Sequence, residues 1–244
     1  MSRVSRRVLL MLLLCPALAL CTRAALAAEP YLIEPAALPS PPALPQSLLD
    51  GLNPQGSLLY TFSNGLKEPI CEIFLARAIA VQGAPGTSRK MQYGDLTPGT
   101  LIGVIHLLRE ATEDYYVDFH SQKLKPGYYT LRYALLPAGT YAHGPVLGEF
   151  VVLSPAGRDR DPAQILPRQE LMQLGSSVSG SNQPASLQLV PADPKSKPPA
   201  MTEDDQGVGT FHARVILAPG KAGPSHDLPL AMIVLTPASH PEGS

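Results

Sequence analysis

The sequence predicts an all-β exported protein: an antiparallel β-sandwich, Ig-like or jelly-roll-like, with one short helical insertion. The first observation is a series of short segments in which apolar side chains alternate with other residues between turn residues. The second is the 27 prolines in 244 residues, about twice the ~5% of average usage. Because proline breaks helices and cannot donate to a β-ladder, this composition favours short strands joined by irregular segments. The length suits a single large β-domain.

Residues 1–27 have the pattern of a secretory signal peptide, with arginines, then an apolar run, then a small-residue processing site. We expect cleavage between Ala27 and Ala28. The apolar run over residues 8–20 is shorter than the ~20 residues of a spanning helix, so retention as an anchor is the alternative. No later segment reaches spanning length, which predicts a secreted or periplasmic product with no membrane span after signal removal.

Loss of the signal removes four arginines and no acidic residue, which takes the formal charge from −1 to −5. Such a chain is a poor partner for nucleic acid, whose phosphates attract basic surfaces. Cys71 is then the one remaining cysteine, so no internal disulfide can form and the fold depends on core packing. We expect Cys71 to pack as a small apolar residue, a reactive thiol being the alternative.

The chain divides into a Pro-rich leader over residues 28–54, a β-sandwich domain over residues 55–236 and a flexible tail over residues 237–244. The leader carries seven prolines, a composition that is typical of an extended linker. About nine strands are predicted within the domain. They cover residues 57–62, 70–81, 100–108, 115–120, 128–136, 148–153, 185–189, 211–217 and 228–235.

The clearest strand follows the Pro126-Gly127 turn. Tyr129 and Tyr133 fall on one face with the leucines between and after them, which predicts the core side, whereas Arg132 falls on the face expected to look toward water or a partner. The segment 100–108 is apolar on both faces, which indicates a central strand covered on both sides.

Residues 161–175 favour a helix, with Asp161 as its cap, Pro162 in its first turn and Gly175 as its stop. Pro167 is expected to split this helix into two pieces. Residues 176–183 then form a polar loop, and the acidic, Pro-rich residues 191–207 form a mobile loop.

Three segments, residues 97–104, 125–133 and 149–156, together resemble a group of exported bacterial all-β proteins of unassigned function. The Asp161-Pro162 pair and the segment 228–231 are also similar to that group, and the likeness covers most of residues 55–236. It implies export and an all-β fold, and no activity. The chain departs from the group just before Phe150, where Glu149 stands without the basic neighbour that such proteins carry.

Histidines raise the possibility of a metal site. His106, His120 and His143 could converge in space, and a metal-dependent enzyme or metal-binding protein is therefore an alternative function. However, no two histidines or cysteines have the local spacing that arranges metal ligands in advance. We expect His106 to be a partly buried, hydrogen-bonded histidine, and the sequence predicts no cofactor.

Other catalytic patterns are also missing. The serines of residues 175–180 do not form a nucleophile elbow, because they follow a predicted helix and lack the Gly-x-Ser-x-Gly spacing. Four carboxylates of one hairpin, including Asp118, are expected to form a solvated rim. The sequence therefore predicts a protein without a catalytic site, although enzyme activity stays open.

Tyrosines suggest a ligand surface. Six of the nine tyrosines lie within residues 115–141, and Tyr116, Tyr128 and Tyr141 are the candidates for exposure, which makes a carbohydrate-binding domain the second alternative. The sequence thus predicts a monomeric, non-catalytic binding or envelope-associated module with an unknown protein or glycan partner.

Overall fold

The computed structural model describes residues 31–40, 43–63, 65–81, 91–109, 115–116, 118, 122–135, 148–218 and 224–237. Two helices are present in these residues, α1 (Gln46–Gly51) and α2 (Arg168–Ser179). The rest of the regular structure is β, which confirms the predicted all-β class. In chain order the strands are β1 (Tyr31–Ala37), β2 (Gln55–Ser63), β3 (Leu66–Leu75), β4 (Ile79–Ala80), β5 (Leu101–Leu107), β6 (Tyr115–Tyr116), β7 (Gly127–Leu135), β8 (Glu149–Pro155), β9 (Ser186–Gln188), β10 (Ala200–Glu203), β11 (Gly209–Ala218) and β12 (His226–Pro237).

Seven strands form one antiparallel sheet in the order β1-β2-β3-β5-β7-β8-β9. The β2–β3 hairpin turns at Gly65, whose φ of 77° favours glycine. Strand β5 lies at the centre of the sheet, as its two apolar faces predicted.

The second sheet has the order β10-β11-β12-β6. These neighbours are antiparallel, but β4 pairs with the end of β11 in the parallel direction. The predicted strand over residues 70–81 is in fact two strands in different sheets, because the chain leaves the first sheet after Leu75 and joins the second at Ile79.

The main core contains buried side chains from both sheets. Tyr133, Cys71 and Val151 come from the first sheet, and Phe211 and Met232 come from the second. The predicted core positions of Tyr129 and Tyr133 are confirmed. Cys71 is also buried as predicted, and burial raises the pKa of its thiol, which keeps it protonated.

The opposite face of the seven-stranded sheet is covered by the helices. Helix α1 buries Leu48 against Phe74 and Val104, and α2 buries Leu171 against Val152. The prediction that the Arg132 side of β7 looks toward water or a partner is therefore wrong for the centre of this strand, because Arg132 is fully buried.

The Pro-rich segment before residue 55 is not a linker over its described residues. Strand β1 pairs with β2 along its whole length, and Leu44, Leu48 and Leu52 are buried. Proline is compatible with this structure because β1 is an edge strand and because Pro45 directly precedes α1, where a backbone donor is not needed.

The helix after Asp161 also differs from its prediction. It begins at Arg168, after Pro167, and continues through Gly175 to Ser179, so residues 176–179 are helical and not a loop. Gly180 ends it in the left-handed conformation with φ 68°. Within residues 191–207, β10 is a strand paired with β11. Neither helix has the length and hydropathy that crossing a bilayer requires, and α1 and α2 are the helices of the described residues.

Candidate functional site

The sheet register brings two predicted site residues together. His106 on β5 lies opposite Glu72 on β3 and opposite Tyr128 on β7. Its Nδ1 is 2.8 Å from Glu72 Oε2, and its ring stacks on Tyr128 with 3.8 Å between centroids and 9° between planes. The prediction of a partly buried, hydrogen-bonded His106 is confirmed.

The stacking limits what Tyr128 offers to a ligand. One face of the ring is occupied by His106, and part of the residue packs beside the α1 cluster. Desolvation, and then the nearby charge of Glu72, raise the pKa of the Tyr128 hydroxyl, which therefore stays a neutral hydrogen-bonding group. A sugar ring would find one aromatic face and polar edges here, not a broad platform.

The other predicted site residues give less information. Tyr116 belongs to β6 and pairs with Thr236. Tyr141, His120, His143 and the cleavage pair Ala27 and Ala28 lie outside the described residues. The described residues contain no group of three or more side chains that could hold a metal ion.

A second polar group lies on the same face, near the outer edge of the sheet. Lys67 is ion-paired with Glu34, and its Nζ lies 3.8 Å from the ring centroid of Tyr60. The hydrogen bond from Lys67 lowers the pKa of the Glu34 carboxyl, which helps to keep the pair charged. Both members are well exposed, so this pair contributes little to stability.

Two buried carboxylates were not foreseen as such. Glu149 accepts hydrogen bonds from the backbone N–H groups of Gln92 and Tyr93, at 3.1 and 2.8 Å, and from the Tyr133 hydroxyl at 2.9 Å. Asp118 was expected on a solvated rim, but it is buried and accepts from the N–H of Ser186 at 2.7 Å. Backbone N–H groups donate hydrogen bonds to both carboxylates, so both side chains connect loops to strands and stabilise the fold.

The largest buried polar side chain belongs to Arg132. Its Nε and Nη2 donate to the two carboxylate oxygens of Asp159, each at 2.6 Å. The remaining guanidinium hydrogens go to the carbonyls of Gly99, Asp161 and Gln164. The network ties β7 to the loop that leads into α2, so its role is structural.

A cleft opens between the two sheets at one corner of the molecule. Its volume is about 460 Å³, within the range of roughly 300–1,000 Å³ that is usual for small-ligand sites. The inner wall is apolar and includes Ile33, Leu75 and Phe211. The full lining is Ile33, Glu34, Pro35, Gln55, Gly56, Ser57, Leu75, Pro198, Pro199, Phe211, Ala213 and Arg214.

The cleft lies at the end of the two sheets where β1 approaches β10 without pairing with it. Beyond β9, Leu189 forms a bridge with Met232, and the N–H of Val190 donates to Ala231 at 3.0 Å, so the sheets join there. At the β1 end, β10 begins only at Ala200. Pro198 and Pro199 have no backbone N–H, so the ladder with β11 is not continued through them.

The charged side chains on the lining are each paired with a residue outside it. Glu34 pairs with Lys67, whereas Arg214 pairs with Asp227 at 3.6 Å, both side chains being 59% exposed. A pair so exposed and so long is weak, so the Arg214 guanidinium can change partner at low cost. An apolar interior with a polar rim is suited to binding a ligand by shape and burial.

Sequence reasoning missed this cleft because its walls come from five separate segments of the chain. The one local signal was the Pro198-Pro199 pair, which marks an interruption but not the space beside it. The chain matches no protein-family model, no curated protein and no solved structure.

Proposed function

We propose that the chain is an exported, non-catalytic binding domain, secreted or periplasmic and monomeric, whose ligand occupies the cleft between the sheets. The observation that carries this proposal is the cleft itself, an open apolar space of about 460 Å³ with Arg214, Gln55 and Glu34 among its lining. Burial of apolar ligand surface supplies the affinity, at roughly 25 cal/mol per Å², and the polar rim supplies orientation.

The fold that we propose for this domain is a β-sandwich of Ig-like or jelly-roll-like type. In support, one buried cluster takes side chains from both sheets, and the neighbours in the seven-stranded sheet are all antiparallel. Export is supported by the signal-like residues 1–27.

A metal-binding protein is the second candidate, and one observation favours it. Glu72 holds His106 Nδ1 at 2.8 Å, and a carboxylate on one ring nitrogen is the usual orienting partner of a metal-bound histidine. The proposed co-ligands, His120 and His143, lie outside the described residues. Stoichiometric zinc, iron or copper in protein purified from its native compartment would favour this candidate over the first.

Ligand binding in the cleft is tested with small molecules and with a variant whose larger side chain fills the cleft. We expect compounds from a library of small apolar and amphiphilic molecules to shift the backbone amide resonances of Ile33, Ser57 and Ala213 in a ¹⁵N-labelled protein. Ala213 is 4% exposed and lines the cleft, so Ala213→Leu should weaken binding at least tenfold.

The matched control is Ala80→Leu, the same substitution at an exposed site outside this cleft, which should leave affinity unchanged. Urea unfolding of both variants would establish that each is folded. The proposal is contradicted when no compound shifts the cleft amides, or when the filled variant binds as tightly as the natural chain.

A further inference from the structure

We propose that the ligand of the cleft is an extended peptide that adds a short strand to the open edge of β11, with an apolar side chain in the cleft and an adjacent acidic residue beside Arg214. This inference rests on the proposed function and specifies the ligand class. Three features of the described residues support it: a gap in the sheet edge, an apolar space next to the gap, and a loosely paired arginine.

The gap lies between two strands on the same edge of β11. Strand β10 pairs with Gly209 to His212, and β4 pairs with Leu217 and Ala218. Residues 213–216 therefore have no strand partner on this edge among the residues that the structure describes. Strand β10 stops at the Pro198-Pro199 pair, and β4 has only two residues, so neither strand closes the gap.

The register shows which backbone groups face the gap. The N–H of Val81 donates to the carbonyl of Ala218 at 3.2 Å across this edge. Because N–H and C=O groups of alternate residues point to the same side of a strand, Arg214 and Ile216 direct their backbone groups into the gap. Two donors and two acceptors are thus available to an added strand, the usual basis of peptide recognition at a sheet edge.

Side chains of an added strand would alternate between the two faces of the sheet. On the inner side they would enter the cleft, whose wall includes Ile33, Leu75 and Phe211. On the outer side they would lie beside the side chains of Arg214 and Ile216, which is 43% exposed. An apolar peptide residue would therefore contact the cleft, and the residue next to it would contact the outer side of β11.

The charge of Arg214 favours an acidic residue at the peptide position that faces the outer side of β11. The Arg214–Asp227 pair is long and exposed, so a peptide carboxylate can compete for the guanidinium and bind it through two hydrogen bonds. We therefore expect the preferred peptides to carry an apolar residue next to Asp or Glu.

A display library of random linear heptapeptides, selected on the whole purified chain, provides the probe. The selected peptides should carry the apolar-acidic pair and should shift the amide resonances of Arg214 and Ile216. N-methylation removes a backbone donor without changing a side chain. In an added strand every second peptide N–H points toward β11, so N-methylation at these residues should weaken binding at least tenfold. N-methylation at the residues between them should change the affinity less than threefold.

Two variants test the protein side. Ile216→Pro removes the N–H that faces the gap and is not used in the pairing with β12, so it should weaken binding at least tenfold, whereas Ile216→Ala, which keeps that N–H, should stay within threefold. Arg214→Glu should abolish the preference for acidic peptides, and Arg158→Glu, a change at another exposed arginine, should preserve it. The N-methyl series uses the unaltered protein, so it decides the question even when Ile216→Pro does not fold.

Peptide affinity that shows no alternation with N-methylation would overturn the strand-addition proposal. The same conclusion follows when non-peptide compounds shift the cleft amides and no selected peptide does, in which case the cleft remains a binding site for another ligand class. Absence of any cleft shift with peptides and small molecules alike would remove the proposed function as well.

Discussion

At the scale of single residues, Arg132 is the side chain that the surrounding structure holds most completely. It is fully buried, and its guanidinium donates to Asp159 and to three backbone carbonyls. A buried ion pair is not by itself a large net source of stability, because both charges lose their hydration. Removal of one member is a different matter, since it leaves the other charge buried without compensation.

We therefore expect Arg132→Ala to reduce the free energy of unfolding by about 3–5 kcal/mol. Asp159 and the three carbonyls would lose the guanidinium donors, and the loop that leads into α2 would keep its bond from the Thr130 hydroxyl to Asp159 but lose its bonds to Arg132. The control is Lys67→Ala, which breaks the exposed pair with Glu34 and should leave the free energy of unfolding nearly unchanged. Urea denaturation followed by circular dichroism measures both; equal effects of the two substitutions would show that the buried network is not important for stability.

Some residues were predictable because a local pattern decides their environment. Cys71 and Tyr133 lie at alternating positions of apolar strands, and alternation alone is enough to place them in the core. Arg132 obeys the same alternation and lies on the face opposite Tyr133, but the prediction that this face looks toward water or a partner is wrong. What covers that face is α2 and the loop before it, which no pattern within β7 can reveal.

At the scale of secondary-structure elements, α2 shows how packing overrides a local stop signal. Gly175 was predicted to end the helix, but a Cβ at this position would lie 2.6 Å from Val152 Cγ1 and 2.7 Å from Pro184 Cβ. Glycine is required there for close approach of the helix to β8, not for a turn. The actual stop is Gly180, the next glycine, in the left-handed conformation.

Gly175→Ala is therefore expected to destabilise the protein, although alanine favours a helix by about 1 kcal/mol over glycine. Overpacking against Val152 and Pro184 should cost about 1–3 kcal/mol, which outweighs that gain. Gly157→Ala serves as the control, because a Cβ there meets nothing within 4 Å and its effect should be within about 0.5 kcal/mol. Thermal unfolding of both variants distinguishes the two roles of glycine; a more stable Gly175→Ala protein would refute the packing explanation.

The segment before β2 was predicted to be a linker from its composition, and this prediction was wrong for the described residues. Prolines at seven positions of residues 28–54 indicate an extended chain, and Tyr31–Ala37 is indeed extended, but as an edge strand. Leu44, Leu48 and Leu52 were present in the same sequence and are buried. The spacing of these leucines is compatible with a short helix, but the many prolines favoured an extended linker in the prediction.

At the scale of the whole molecule, most strand positions could be predicted, but the arrangement of strands could not. Strand β4 pairs with β11 although Ile79 and its partner Leu217 are 138 positions apart in the sequence (217 − 79), and such pairings leave no trace in local alternation. The cleft is a consequence of this arrangement, because it lies where β10 stops short and where β1 ends the first sheet. The proposed site could therefore only be found in the assembled fold.

Titratable side chains that are buried in the folded protein predict how its stability depends on pH. Desolvation lowers the pKa of His212, against a smaller opposing effect of Asp193, and raises the pKa of Tyr93 to about 12. Desolvation also raises the pKa of Tyr133, with a further contribution from the charge of Glu149. His212 thus binds a proton more readily in the unfolded chain, whereas the two tyrosines lose theirs more readily there.

We expect a plateau of stability near neutral pH with a decline on both sides. The alkaline decline begins above about pH 8.5, where the thiol of Cys71 ionises in the unfolded chain but stays protonated in the core, because burial raises its pKa. The contribution of His212 is present above its unfolded pKa of about 6.5 and is lost as pH falls through its lower folded pKa. The contributions of Tyr93 and Tyr133 are present below about pH 10 and are lost as pH rises toward their folded values, by at most about 1.4 kcal/mol per pH unit for each proton. Urea unfolding at intervals between pH 5 and pH 11 measures this profile, and His212→Gln should flatten its acid side alone. Stability that increases above pH 10 would contradict the burial of the two tyrosine hydroxyls, and with it the packing of Tyr93 and Tyr133 around Glu149 that joins the two sheets.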